Sequence, residues 1–270
     1  MRKKLVWLLV GSMLVSSAFL GGCGKKVTAQ SLIEDVNKKM ESIKSYEAAM
    51  DMDMSLGMES EGIEMNIDIG IDGDMEVVMD PMITHMDVNM VMSLLGLDMD
   101  MDMYVQVDGD QAVTYMGLAG EWMKTTQPFT DDMAMNEVSF NVGDPSKLTL
   151  AEKTEMLDGG EAYVITGTIS GEELQAVLAS AESLMESMAD IDLSGLQADM
   201  TIKIYKDSGY PASMEVVMSG DGITTEEDGI VMSITNLSMI MEYKGFDTMD
   251  TIEIPPEVLA APEMEAELEM

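Results

Sequence analysis

The sequence predicts an α+β fold in which one large curved antiparallel β-sheet follows an N-terminal helix, with a few helices covering the concave face of the sheet. Three observations predict it. Apolar and acidic residues alternate with a period of two through much of residues 50–107, as in Asp98-Met99-Asp100-Met101-Asp102-Met103. Such alternation marks strands with one dry and one wet face. Residues 29–45, just before that run, carry a period near 3.6. Turn signals, Asp-Gly among them, separate the alternating runs.

The first residues do not belong to this fold. Met1-Arg2-Lys3-Lys4 is a basic n-region and residues 5–20 are an apolar h-region, the layout of a secretory leader. Leu20-Gly21-Gly22-Cys23 then resembles the lipobox of bacterial lipoproteins, in which the cysteine is diacylated and becomes the first residue. The rival reading is an uncleaved transmembrane anchor; the apolar run is short for a stable span, and Cys23 is the only cysteine. The expected organisation is a signal peptide at 1–22, a lipidated tether at 23–27, one domain at 28–258 and an acidic disordered tail at 259–270. The expected location is the extracytoplasmic face of the cell membrane, held through acyl chains on Cys23. A single cysteine allows no internal disulfide, so core packing holds the fold.

The chain has 51 Asp+Glu against 14 Lys+Arg, a net charge of −37. Removing residues 1–22 takes Arg2, Lys3 and Lys4 but no acid, leaving 11 lysines, no arginine and a charge of −40. Without arginine there is no bidentate fork for phosphate, and the negative field repels nucleic acid, which excludes nucleic-acid binding. The same field favours a soluble, monomeric body on a tether.

Within 29–45, Leu32, Ile33, Val36, Met40 and Ile43 share one helix side, with Thr28 as cap. After Ser45 the period falls to two. Met50, Met52, Met54, Leu56 and Met58 share one strand face, and Asp51, Asp53 and Ser55 the other. Ile63, Met65, Ile67, Ile69 and Ile71 point inward on the next strand. Asp72-Gly73 reads as a hairpin turn, after which Met75, Val77 and Met79 continue inward. Met82, Met86, Val88, Met90 and Met92 form another inward row, and Met99, Met101, Met103, Val105 and Val107 the next. Asp108-Gly109 is a second hairpin signal, and Trp122 falls on a short strand beyond it.

Residues 127–146 break the period with Pro128, Gly143 and Pro145 and read as a loop containing a short helix. Residues 148–157 and 161–169 read as a hairpin about Asp158-Gly159-Gly160. Ser170 and Glu173 form a capping box for a helix over 171–189. Residues 198–220 make a hairpin turning at Asp207-Ser208-Gly209, and 231–245 a further strand pair. The ordered part closes near Ile254-Pro255-Pro256.

These pieces together resemble a known family. A lipobox cysteine, the helix SLIEDVNKKMESIKSYEAAMDM (31–52), successive strands, IYKDSGYPASMEVVM (204–218) and a closing strand before IPPEV look like the LolA-like lipoproteins of Gram-positive bacteria, relatives of the mycobacterial LppX and LprG group. The resemblance covers residues 28–258. It implies a LolA-like half-barrel with helices at its mouth and an apolar cavity that holds acyl chains, with no enzyme activity and no cofactor. The absence of arginine is a departure from the family.

The mature chain keeps 31 methionines. Methionine is unbranched and polarizable and fits irregular or changing shapes, so Met-rich surfaces suit adaptable binding. Met50, Met52, Met54, Met65, Met86, Met90, Met92, Met99, Met101, Met103, Met214, Met218, Met239 and Met241 are the candidate lining of a cavity for a lipid or other hydrophobic molecule. Methionine as plain core filling is the competing explanation. A metal or redox role is the alternative from another class: thioethers suit Cu(I), and methionine sulfoxide is reversible. His85, the only histidine, alternates with Asp87 and Asn89 and points away from the methionines, as an exposed, solvated side chain. The sequence has no G-x-S-x-G, H-E-x-x-H or Walker A motif, and a non-catalytic protein is expected.

Overall fold

A computed structural model describes residues 27–60, 62–94, 96–129, 145–171, 196–219, 223–227 and 230–264. Among these, the alternating residues form one antiparallel sheet of thirteen strands. The strands are β1 (Ser45–Ser60), β2 (Ile63–Met79), β3 (Met82–Met92), β4 (Leu97–Asp108), β5 (Gln111–Leu118), β6 (Glu121–Pro128), β7 (Thr149–Leu150), β8 (Glu155–Leu157), β9 (Gly160–Ser170), β10 (Gln197–Tyr205), β11 (Pro211–Ser219), β12 (Ile223–Glu227) and β13 (Ile230–Phe246). Their order is β6-β5-β4-β3-β2-β1-β13-β11-β10-β9-β7, with β12 beside β13 and β8 beside β9. Strands β1 to β6 form a meander, since each short connection allows only the neighbouring antiparallel position. β13 closes the order by pairing β1 on one side and β11 on the other. The architecture is the predicted α+β fold, one large antiparallel sheet that follows an N-terminal helix.

Three expectations are corrected. Asp72-Gly73 is no turn: β2 runs through it for 17 residues, and Gly73 pairs with Met50 on one side and Val88 on the other. Its glycine is required by a close approach, because a Cβ there would lie 2.6 Å from the Asp87 carbonyl oxygen. Residues 231–245 are one strand rather than a pair. Part of the expected tail is ordered: Leu259 ends helix α2 (Pro256–Leu259), Ala261 is buried, and the backbones of Pro262 and Met264 bond to Lys124. The helix expected over 171–189, from residue 172 on, and most of the 127–146 loop fall outside the described residues; Gln127 and Pro128 belong to β6, and 145–147 form a 3-10 turn.

Helix α1 (Ala29–Met40) starts where the Thr28 hydroxyl accepts from the Ser31 N–H while the Ser31 side chain bonds back to Thr28, a reciprocal cap. It ends at Met40, five residues before the predicted Ser45, and the backbone turns at Glu41 and Ser42. Its buried face of Ala29, Ile33, Val36 and Met40 joins Tyr46, Ala48, Met54, Val77, Ile165, Met200, Ile202 and Val216 in the main core. The Lys206–Pro211 turn docks the far end of this helix. Gly209 takes a left-handed φ of 68°, which bulky residues resist. Next to it Tyr210 stacks on Phe246 at 4.3 Å, and Lys39 of α1 sits 4.3 Å over the Tyr210 ring and donates to the Ser208 carbonyl.

A second core lies on the other side of the sheet. There Ile252, Val258 and Ala261 from the C-terminal segment cover Val78, Ile83, Tyr104 and Tyr115.

Tyr46, 4% exposed beneath α1, supplies a test of this packing. Burial pushes its phenol from 10.0 up to about 12. Below pH 10 both folded and unfolded chains hold the proton and the contribution is fully present. Between about pH 10 and 12 only the unfolded chain loses it, so stability falls as pH rises. The Tyr46 share of the stability lost across that window is expected to be about 2–3 kcal/mol in urea denaturation, and Tyr46→Phe is expected to remove that share.

Candidate functional site: the methionine face of the sheet

Side chains alternate across a strand, so register decides which methionines meet. The register brings all of the sequence-predicted methionines onto one face. One lateral row runs Ile202, Met214, Met241, Met50, Gly73, Val88, Met101, Leu118 from β10 to β5. The next runs Met200, Val216, Met239, Met52, Ile71, Met90, Met99. Met54 pairs with Leu237 and Ile69, Met92 with Ile69 and Leu97, and Met65 with Met58. Met218, opposite Ala198, packs against the main core.

The register also forms a row that strand-by-strand reading missed. Met75, Met86, Met103, Met116 and Met123 sit side by side on β2, β3, β4, β5 and β6. Strands lie about 4.8 Å apart, so each thioether is a lateral neighbour of the next. The missing signal was the cross-strand register, which the turns set.

The face changes depth along the sheet. Near α1, Met54 and Met200 are 8% and 2% exposed. Most of the predicted methionines between are half-buried. Toward the β6 edge, Met116, Leu118 and Met123 reach 41%, 39% and 37%. An apolar patch open to solvent is a feature of binding surfaces. Across β2, β3 and β4 this face carries no charged residue.

The opposite face carries the charge. A recess of about 630 Å³ opens there, lined by Asp51, Asp72, Asp74, Asp87, Asp100 and Glu242 with Asn89, Ala49 and Ile240. Of the predicted lining methionines only Met50 touches it. Asn89 donates to both Asp98 and Asp100 at 2.9 Å, and Lys244 bonds Asp74. Among the described residues no three His, Cys, Asp or Glu side chains converge to hold a metal ion.

His85 lies on this second face, as its alternation predicts, but it is not simply solvated. It is half-buried, with Nε2 2.9 Å from Asp102 and Nδ1 3.3 Å from Glu76, and its ring stacks on Tyr104 at 4.4 Å. The Tyr104 phenol is pushed up, by burial first and then by the charges of Asp102 and Glu76. Cys23 lies outside the described residues.

A model of a family of unknown function, DUF6612, matches residues 28–263. No curated protein matches the chain. Among solved structures it is similar to LprF from Mycobacterium bovis, at 12% identity over 84% of this chain and 96% of that one, with a TM-score of 0.45. It is also similar to the LolA superfamily protein NE2245 from Nitrosomonas europaea, at 12% identity, 84% and 96% coverage and a TM-score of 0.22. An outer membrane lipoprotein-sorting protein domain from Vibrio parahaemolyticus matches at 10% identity, 83% and 95% coverage and a TM-score of 0.24.

The gradient of exposure predicts an order of oxidation. With dilute hydrogen peroxide and peptide mass mapping, Met65, Met116 and Met123 are expected to form sulfoxides several-fold faster than Met54 and Met200. Equal rates would contradict a face that is deep at α1 and open at the β6 edge and at the Met65 end of β2.

Proposed function

The chain belongs to the DUF6612 family, a family of unknown function, and from that premise we propose that it is a lipid-anchored extracytoplasmic lipoprotein whose methionine face holds a hydrophobic ligand, a lipid or acyl chain. The observation that carries this reading is the lateral methionine row from Met75 to Met123, continuous over five strands and open at one end. A core that only filled space would be covered throughout. This face combines a buried end, flexible side chains and an accessible edge, which is what an alkyl chain needs to enter and lie against.

Anchoring is supported by Leu20-Gly21-Gly22-Cys23 and the leader-like residues before it. Among the described residues no helix is long and apolar enough to cross a membrane. A binding role without catalysis is supported by the chemistry of the face itself, which on β2 to β4 offers thioethers and alkyl groups but no acid, base or cation.

The lateral row also supports a second chemistry. Thioethers on neighbouring strands suit Cu(I), and the two readings separate by experiment. The chain from residue 23, with Cys23→Ser, is expected to bind 1-dodecylpyrene with a rise in pyrene fluorescence. Met103→Asp, which puts a charge in the middle of the row, is expected to weaken binding about tenfold or more. Asp100→Asn, on the opposite face, is expected to leave it unchanged. Stoichiometric Cu(I) uptake that Met103→Asp abolishes, with no pyrene binding by the parent chain, would replace the lipid reading with the metal one.

A further inference from the structure

One side chain on the methionine face does not fit an all-apolar lining. On β2, β3 and β4 the residues of this face are methionine, isoleucine, leucine, valine and glycine, with Thr84 as the single polar exception. Thr84 lies between Val77 and Val105, two residues from Met86 along its own strand. It is 1% exposed, and its Oγ1 is buried with no hydrogen-bond partner among the described residues. A valine would fill the same space without that unsatisfied hydroxyl. Buried hydroxyls are almost always bonded, and leaving one unpaired costs free energy that a methyl group would not.

The hydroxyl therefore needs a partner that the described residues do not supply. We propose that Thr84 is the polar anchor of the ligand site, and that the ligand is an uncharged amphiphile whose alkyl chain lies on the methionines while an alcohol, ester or amide oxygen bonds to the Thr84 hydroxyl. This rests on the hydrophobic-ligand reading above and narrows it to a chemical class. A threonine hydroxyl can both donate and accept, so a carbonyl oxygen or a hydroxyl serves equally. A charged head group does not: this face of β2 to β4 has no lysine to pair with a carboxylate or phosphate, and a buried unpaired charge is strongly disfavoured. The acidic character of the whole chain acts in the same direction against anions. The row through Thr84 continues over Val105 to Thr114 and Thr125 on β5 and β6. Two half-buried hydroxyls thus mark the way from the open edge to the anchor.

Three probes with one pyrene and one twelve-carbon chain test this on the chain from residue 23 with Cys23→Ser: 12-(1-pyrenyl)dodecanol, 1-dodecylpyrene and 12-(1-pyrenyl)dodecanoate. The alcohol is expected to bind about tenfold more tightly than the hydrocarbon, the size of one buried hydrogen bond, and the carboxylate most weakly. Thr84→Val is expected to fold at least as stably in urea and to bind alcohol and hydrocarbon alike. Thr84→Ser, which keeps the hydroxyl, is expected to retain the preference. If the parent chain binds alcohol and hydrocarbon equally, or binds the carboxylate as tightly as the alcohol, the anchor assignment is overturned while the hydrophobic-ligand reading stands. If none of the three probes binds, both fall together.

Discussion

The period-two alternation of methionine with aspartate is the constraint on which the rest of the structure depends. Shifting β1 or β4 by one residue would turn a row of aspartates into the core and a row of methionines into water. The cost of burying even one such carboxylate without a partner is large, so the register is locked on every strand where the alternation is strict. That lock is what lets β2 run unbroken through Asp72-Gly73 and lets five methionines on five strands line up. The acidic composition and the apolar binding face are thus two sides of one pattern. The carboxylates keep a very long sheet soluble while the other side stays free of charge.

The sheet is held together at β13, which pairs with β1 along nearly its whole length and with β11 on its other side. Helix α1 packs across this junction and buries the methionine face there, while the C-terminal segment packs on the opposite face over β3 to β6. Each covering element protects a different side at a different end. The methionine face is consequently deep near α1 and open toward β6 and at the Met65 end of β2. Placing the proposed ligand between those ends joins a rigid, well-packed floor to an accessible edge.

Much of the fold was legible in the sequence because the alternation is so regular. The strand faces, the Thr28 cap, the Asp108-Gly109 hairpin and the Asp207-Ser208-Gly209 turn could all be read locally. Asp72-Gly73 misled because Asp-Gly is a strong hairpin signal, and nothing local shows that Gly73 is needed for contact with the Asp87 backbone. Residues 231–245 misled because strands of 17 residues are uncommon. The side of the sheet on which each methionine lies could be read strand by strand. Their lateral neighbours could not, since register across strands is set by turns and pairing. The environment of His85 was hidden for the same reason: Glu76 and Asp102 lie on neighbouring strands. Thr84 was legible as a gap in the row Met82, Met86, Val88, but only its burial and its unpaired hydroxyl give the gap a meaning.

The central claim is that the methionine face carries an apolar ligand in the cell. The most direct measurement is solvent extraction and mass spectrometry of whatever co-purifies with the Cys23→Ser chain, in parallel with a Met86→Asp version of it. The account predicts a near-equimolar, uncharged alkyl-chain lipid on the first protein and its loss from the second. A lipid-free protein, or a mixture with the composition of the bulk membrane that Met86→Asp leaves unchanged, would contradict it.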